Sequence, residues 1–248
     1  MLKHSIIEGD LYSTANFGVL KVVKYNKYSD VDVEFIETGY KTKTTSQNIK
    51  NGMVMDKWKP TVLGVGILDI NVDDENRFVH KVWTTMLTRC YCVSYKAKYP
   101  TYEYCRSSDS FKVFSKFLTW FKNQKGGEVK GFVLDKDILV KGNKIYSEDT
   151  CCLVPAEVNL TFVNKAANRG DHPIGVSFTS EWRYRARLNK GKGRGLFHLG
   201  YFSTPEQAFV AYKVAKETYI KEVAEKWKDQ IDPRVYEALI NWKVEIND

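Results

Sequence analysis

The sequence predicts an α+β protein built from a small N-terminal β module, a mixed central module and a C-terminal three-stranded sheet packed on a helix. Three observations carry this expectation. Residues 1–60 alternate apolar and polar side chains with the period of two that a half-buried strand shows. Residues 72–165 begin with two stretches whose apolar residues recur at helical spacing. Residues 170–230 place an arginine-rich strand ahead of a well-signalled helix.

In the first module, FGVLKVVKY and DVDVEFIE read as strands, and the polar stretches NKYSD and ETGYKT as turns between them. A small barrel-like module of SH3 type over residues 1–65 fits this pattern. Lys21, Lys24, Lys27, Lys41, Lys43 and Lys50 make it basic. Such a surface either adds phosphate contacts, which raise affinity without reading sequence, or is plainly solvated. Pro60 and the stretch GVGILDINVDD then change the texture, and a boundary is placed there.

The central module spans residues 72–165. On residues 79–91, Val79, Val82, Trp83, Met86, Leu87 and Cys90 share one helical stripe. Residues 111–123 repeat the pattern with Phe111, Phe114, Phe117, Leu118 and Phe121, and the glycine-rich GGEVKG ends it. LDKDILVKGNKIYSEDTCCLVP follows, with short apolar pieces suited to two strands and a turn, and helix-start chemistry at Ser147 to Thr150.

The C-terminal module spans residues 170–230. In the stretch SEWRYRARLNKGKGRG, extended backbone puts Trp182, Tyr184, Ala186 and Leu188 on one face and Arg183, Arg185 and Arg187 on the other. Lys190, Lys192 and Arg194 extend the basic row through a glycine-rich turn. A strand bearing guanidiniums suits the major groove of double-stranded DNA, where Arg bonds guanine bidentately or clamps phosphate. The bland alternative is a solvated charged face. A helix over residues 205–228 is announced by Ser203 or Thr204 as cap, Pro205 at the first position and Gln207. Residues 231–248 form an extension, expected to pack back as a short helix and strand.

Bulk properties agree with a polyanion partner. The 248 residues carry a formal net charge of +8, and the 43% hydrophobic content excludes a wholly disordered chain. No apolar run reaches the ~18 residues of a spanning helix, and MLKHSIIEGD lacks a signal-peptide core, so a soluble intracellular protein without a membrane partner is expected. The five cysteines, Cys90, Cys92, Cys105, Cys151 and Cys152, are odd in number and argue against a disulfide scaffold. Cys90, Cys105 and Cys151, with Cys92 or Cys152, either hold a structural Zn²⁺ or are buried thiols; no CxxC pair is present.

Two resemblances sharpen the functional expectation. Gly175-Val176, Tyr184 to Arg187, Leu199 to Phe202 and Thr204 to Tyr212 resemble the plant ethylene-response-factor (APETALA-type) DNA-binding domain over about 45 residues. The resemblance implies a three-stranded sheet on a helix, with DNA contacts carried by Arg183, Arg185, Arg187 and Trp182. Such domains often sit behind a nuclease core in mobile endonucleases of microbes and phages. Leu134, Asp135, Lys136, Gly142, Asn143 and Tyr146 to Cys151, preceded by Trp83, Met86, Arg89-Cys90-Tyr91, Pro100 to Tyr102 and Cys105, resemble a branch of the His-Asn-His (ββα-metal) endonucleases over about 80 residues.

The second resemblance implies a DNA endonuclease of phage homing type. Asp135 would hold Mg²⁺ or Mn²⁺, with Asn143 or Thr150 completing the site. Tyr102 or Tyr104 would be the base, and Lys136 would steady the phosphate. The departures are that Lys136 stands where relatives carry Arg and Thr150 where they carry Asn, and that no histidine lies between His80 and His172. A tyrosine base would need a cation or metal to depress its pKa. The rival expectation is a catalytically inactive, sequence-specific DNA-binding protein on a degenerate nuclease core; an RNA-binding protein is a third. A monomer in the cytoplasm of a bacterial host completes the expectation.

Overall fold

The computed structural model describes residues 5–127, 129–162, 172–179, 183–191 and 195–246. Helices and several sheets coexist, so the α+β class holds. The chain divides into two compact units, Met1–Thr119 and Trp120–Asp248. The division falls inside residues 72–165, read above as one central module, so that stretch contributes to both units.

In the first unit, β1 (Leu11–Ser13), β2 (Val19–Lys27), β3 (Asp30–Phe35) and β4 (Lys41–Thr44) form an antiparallel meander in chain order. The alternation seen in sequence decides what is buried. Leu20, Val22, Val31, Val33 and Phe35 face a core completed by Ile6, Ile49 and Val54. Ile49 comes from α1 (Ser46–Lys50), whose cap Thr45 accepts a hydrogen bond from the Asn48 amide. A hairpin of β5 (Pro60–Val62) and β6 (Gly66–Ile67) follows. Gly66 admits no side chain, because a Cβ there would lie 2.5 Å from Leu87 and 3.1 Å from Trp83.

Those two residues belong to α2 (Arg77–Tyr91), which buries Val79, Trp83, Met86, Leu87 and Cys90 as its stripe predicts. The Trp83 indole donates to the Phe111 carbonyl at 2.7 Å and packs on Phe114. α3 (Val93–Lys98), a 3-10 turn at Pro100–Tyr102 and β7 (Arg106–Ser107) lead to a second 3-10 turn at Ser110–Lys112 and then α4 (Phe114–Asn123). The helix expected over residues 111–123 is thus broken at Val113, whose backbone is extended.

In the second unit, β8 (Phe132–Asp135) pairs antiparallel with β10 (Cys152–Pro155), and β9 (Ile145–Tyr146) lies between them in sequence. α5 (Ala156–Thr161) follows directly. Ser147 to Thr150 form a turn before a strand, so the helix start expected there is corrected. Its polar side chains bond within the turn: the Thr150 hydroxyl donates to the Ile145 carbonyl.

β11 (Val176–Phe178), β12 (Tyr184–Asn189) and β13 (Leu196–Phe202) form a three-stranded antiparallel sheet with β12 in the middle. α6 (Pro205–Trp227) packs on all three strands. Thr204 caps it, accepting from the Gln207 amide at 3.2 Å, with Pro205 in the first turn. Ala186 and Leu188 of β12 meet a helix face that includes Ala208, Tyr212, Tyr219 and Val223, all buried. α7 (Pro233–Ile240) closes the fold. The strand expected after it is absent among the described residues. Instead, the Val244 amide donates to Glu217 at 3.0 Å and the Lys213 ammonium to the Val244 carbonyl at 2.6 Å. Side chains of α6 thereby satisfy the peptide groups that a strand neighbour would have satisfied.

Candidate nucleic-acid interface

β12 positions the arginines through its neighbours. Directly opposed residues of an antiparallel pair share a face. Ser177 on β11, Arg185 on β12 and Tyr201 on β13 therefore form one row across the sheet, and His198 stands opposite Arg187 in the next. The register skips Leu199 between these rows, where Gly200 holds φ at 135°, a conformation that suits glycine alone. The bulge brings His198 and Tyr201 onto the same side, their rings 4.6 Å apart. Simple alternation along LFHLGYF puts them on opposite faces, so His198 and Tyr201 were not legible as partners of the arginines. The Leu199-Gly200 pair is the only trace of the bulge in the sequence.

Arg183 is exposed, while Arg185 and Arg187 are half-buried. Among the described residues no carboxylate pairs with any of the three. The Arg185 Nε and the Ser177 Oγ, neighbours in register, are both buried without a hydrogen-bond partner. A buried donor left without an acceptor costs about 1–3 kcal/mol. Arg187 also lines a cavity beside β12. Lys190 does not extend the arginine row freely. Its ammonium pairs with Glu222 at 3.3 Å and lies over the Phe197 and Tyr219 rings, which turns it toward α6. Tyr184, expected to pack on the helix, is half-buried among Phe178 and His172. Trp182, Lys192 and Arg194 lie outside the described residues.

The acidic loop after β8 is built with equal economy. The Asp135 Oδ1 accepts from the Asp137 and Ile138 amides at 2.9 and 2.8 Å. Burial, and then the Asp137 charge, raise its carboxyl from 3.8 to about 6. The Lys136 ammonium, buried, donates to Asp137 at 2.8 Å and to the Asn143 carbonyl at 2.9 Å. The Asn143 side chain donates to the Lys136 and Ile145 carbonyls and accepts from the Ile145 amide. The Thr150 hydroxyl bonds to the Ile145 carbonyl and Ser147.

These bonds decide the fit to a divalent cation. Asn143 and Thr150, two of the three expected metal ligands, direct their polar atoms to the loop's own backbone and to Ser147. Asp135 is the one carboxylate of the three, and Mg²⁺ is commonly held by one or two carboxylates with waters completing its octahedron. Asp135 would hold such an ion, with Asn143 and Thr150 engaged by the loop and the Lys136 ammonium turned to Asp137 and the Asn143 carbonyl.

Tyr102 and Tyr104 belong to the other unit. Tyr102 ends a 3-10 turn with the Arg89 guanidinium 5.5 Å from its ring centroid, and Tyr104 is 75% exposed. The cation beside a candidate tyrosine base is thus Arg89. All five cysteines are free thiols, and Cys90, Cys105, Cys151 and Cys152 are buried. Burial pushes the Cys152 thiol up, which favours its protonated form. Among the described residues no group of three or more His, Cys, Asp or Glu side chains is placed to hold a metal ion, and none of the helices is long and apolar enough to cross a membrane.

Comparison with protein-family models finds no family model that matches the chain, and comparisons with curated proteins and with solved structures find no match.

Proposed function

We propose that this chain binds double-stranded DNA at chosen sites, with the β11–β13 sheet as its reading surface. One observation carries the reading: Arg183, just before β12, and Arg185 within it stand without carboxylate partners among the described residues, and the Arg185 Nε and Ser177 Oγ are orphaned side by side. Bases and phosphates offer the acceptors this row lacks, and a sheet edge-on to the major groove presents successive side chains to successive base pairs. The +8 net charge supports the same partner. Selection of bound duplexes from a random pool, with wild type beside Arg185→Ala, tests it. A consensus site that the variant relaxes is expected. No enrichment, or equal competition by RNA, would sink the reading.

A second reading adds phosphodiester hydrolysis to the same recognition, as in the phage-type endonucleases the sequence resembles. It is favoured by Asp135, a buried carboxyl raised to about 6 beside a second carboxyl, since proton-transfer groups work best near the ambient pH. Incubating supercoiled DNA with wild type and Asp135→Ala, with Mg²⁺ and with Mn²⁺, separates the two readings. Nicking lost in the variant establishes the enzyme; intact DNA at saturating binding leaves a recognition protein on a nuclease-like scaffold.

A further inference from the structure

A cavity in the second unit has a volume of about 780 Å³. It opens beside β12 for a topological reason. β11 pairs only with Tyr184–Ala186, the Arg187 amide still donates to the Gly175 carbonyl at 2.9 Å, and Leu188 and Asn189 have no paired strand on that edge among the described residues. The space beyond is walled by the end of α5, the face of α6 carrying Tyr212 and Lys216, the loop at Asp137 to Gly142, and Trp242. Its volume falls in the range of sites that enclose small organic ligands.

The wall is cationic and aromatic. Lys141, Arg187 and Lys216 line it against one carboxylate, Asp137, which is already paired with Lys136 at 2.8 Å. Lys216 is the telling residue. Its ammonium donates to the Thr161 carbonyl at 2.5 Å and lies 6.0 Å from the Tyr219 centroid, and no carboxylate pairs with it among the described residues. An ammonium has three protons to donate, and a desolvated one without a counter-ion is costly. Burial accordingly lowers it from 10.5 to about 8. Arg187 likewise has no carboxylate partner among the described residues. The Phe162 and Trp242 rings also line the cavity, their centroids 4.4 Å apart and their planes tilted by 54°, and form an aromatic wall with the Lys141 ammonium 5.4 Å from the Trp242 centroid.

We infer that this cavity binds a nucleotide, its phosphate between Lys216 and Arg187 and its base along the Phe162–Trp242 wall. The phosphate supplies the acceptors that Lys216 lacks, and the base fills space that a simple anion leaves empty. The nucleotide is either free in solution or the terminal unit of a DNA strand; both present the same phosphate and ring.

Calorimetric titration of the full chain distinguishes the cases. The probes are deoxynucleoside 5′-monophosphates, the matching nucleosides, inorganic phosphate and a short 5′-phosphorylated single strand. Expected is saturable binding at one site, at least tenfold tighter for the nucleotide than for nucleoside or phosphate alone. Lys216→Met should weaken it tenfold or more while melting no lower than wild type, and Trp242→Leu should remove the advantage of the nucleotide over phosphate. Whichever of the free nucleotide and the strand end binds tighter names the source. Absence of binding by either, or binding undiminished in Lys216→Met, overturns the proposal. Duplex binding through the sheet is scored in the same variants, so failure of the cavity and failure of the sheet give different results.

Discussion

Asp135 carries its proton into a range where an ordinary aspartate has lost it. With the folded carboxyl at about 6 against 3.8, the native state binds a proton that the unfolded chain releases. The stability contributed is therefore full below pH 3.8 and lost as pH rises through about 6. Asp135→Asn keeps an oxygen for the Asp137 and Ile138 amides and removes the buried charge. It should be more stable than wild type at pH 8, by about 1–3 kcal/mol, with the gap closing toward pH 4. Thermal melts across that range check it, and a gap independent of pH would show that burial of the charge is not the cause. At this scale the sequence was informative about which residues matter and silent about what they do. Asp135, Asn143 and Thr150 do gather around one loop. Their bonds to backbone amides and carbonyls depend on the path of that loop, which residue type and spacing do not specify.

The sheet and its helix are where elements depend on one another most closely. Gly175 precedes β11 with φ at 77°, and a Cβ there would fall 2.0 Å from the Tyr212 ring. Tyr212 is itself buried. Gly175→Ala should therefore cost about 2–4 kcal/mol through overpacking and strain and lift β11 from α6. Circular dichroism melts should show the loss of stability, and duplex binding should fall with it because Ser177 leaves its row. The strands, the α2 stripe and the α6 start were legible because periodicity and capping are local. The rows joining Ser177, Arg185 and Tyr201, and Arg187 with His198, were not, because register and the bulge at Leu199 belong to pairs of strands. The break at Val113 was not legible because the groups that settle it, the Trp83 indole on the Phe111 carbonyl and the bridge from Ile67 to Val113, are distant in sequence. At Ser147 to Thr150 the bonds are local, and the capping residues serve a turn as well as a helix.

Across the whole molecule, charge and reading should separate experimentally. The net charge of +8 gives an affinity that falls as salt rises. Removing one phosphate contact lowers the slope of log affinity against log salt by about 0.9, whichever sequence is bound. Arg183, exposed just before β12, is expected to act in this way: Arg183→Ala should reduce the slope by about one contact and leave the preferred site unchanged. Arg185, in the middle of the sheet, should act through base edges, so Arg185→Ala should cost about 1–3 kcal/mol at one position of the site. Filter binding from 50 to 200 mM salt distinguishes them, and equal effects of the two variants on both quantities would refute the division. The β12 sheet has a further consequence. Its inward residues, Ala186 and Leu188, are buried, whereas the outward side chains Arg183, Arg185, Ser177, His198 and Tyr201 form no hydrogen bonds or ion pairs with the rest of the protein among the described residues. The fold and the proposed reading face thus rest on separate positions of the same sheet, so drift or directed selection could change the outward set while the scaffold stays intact.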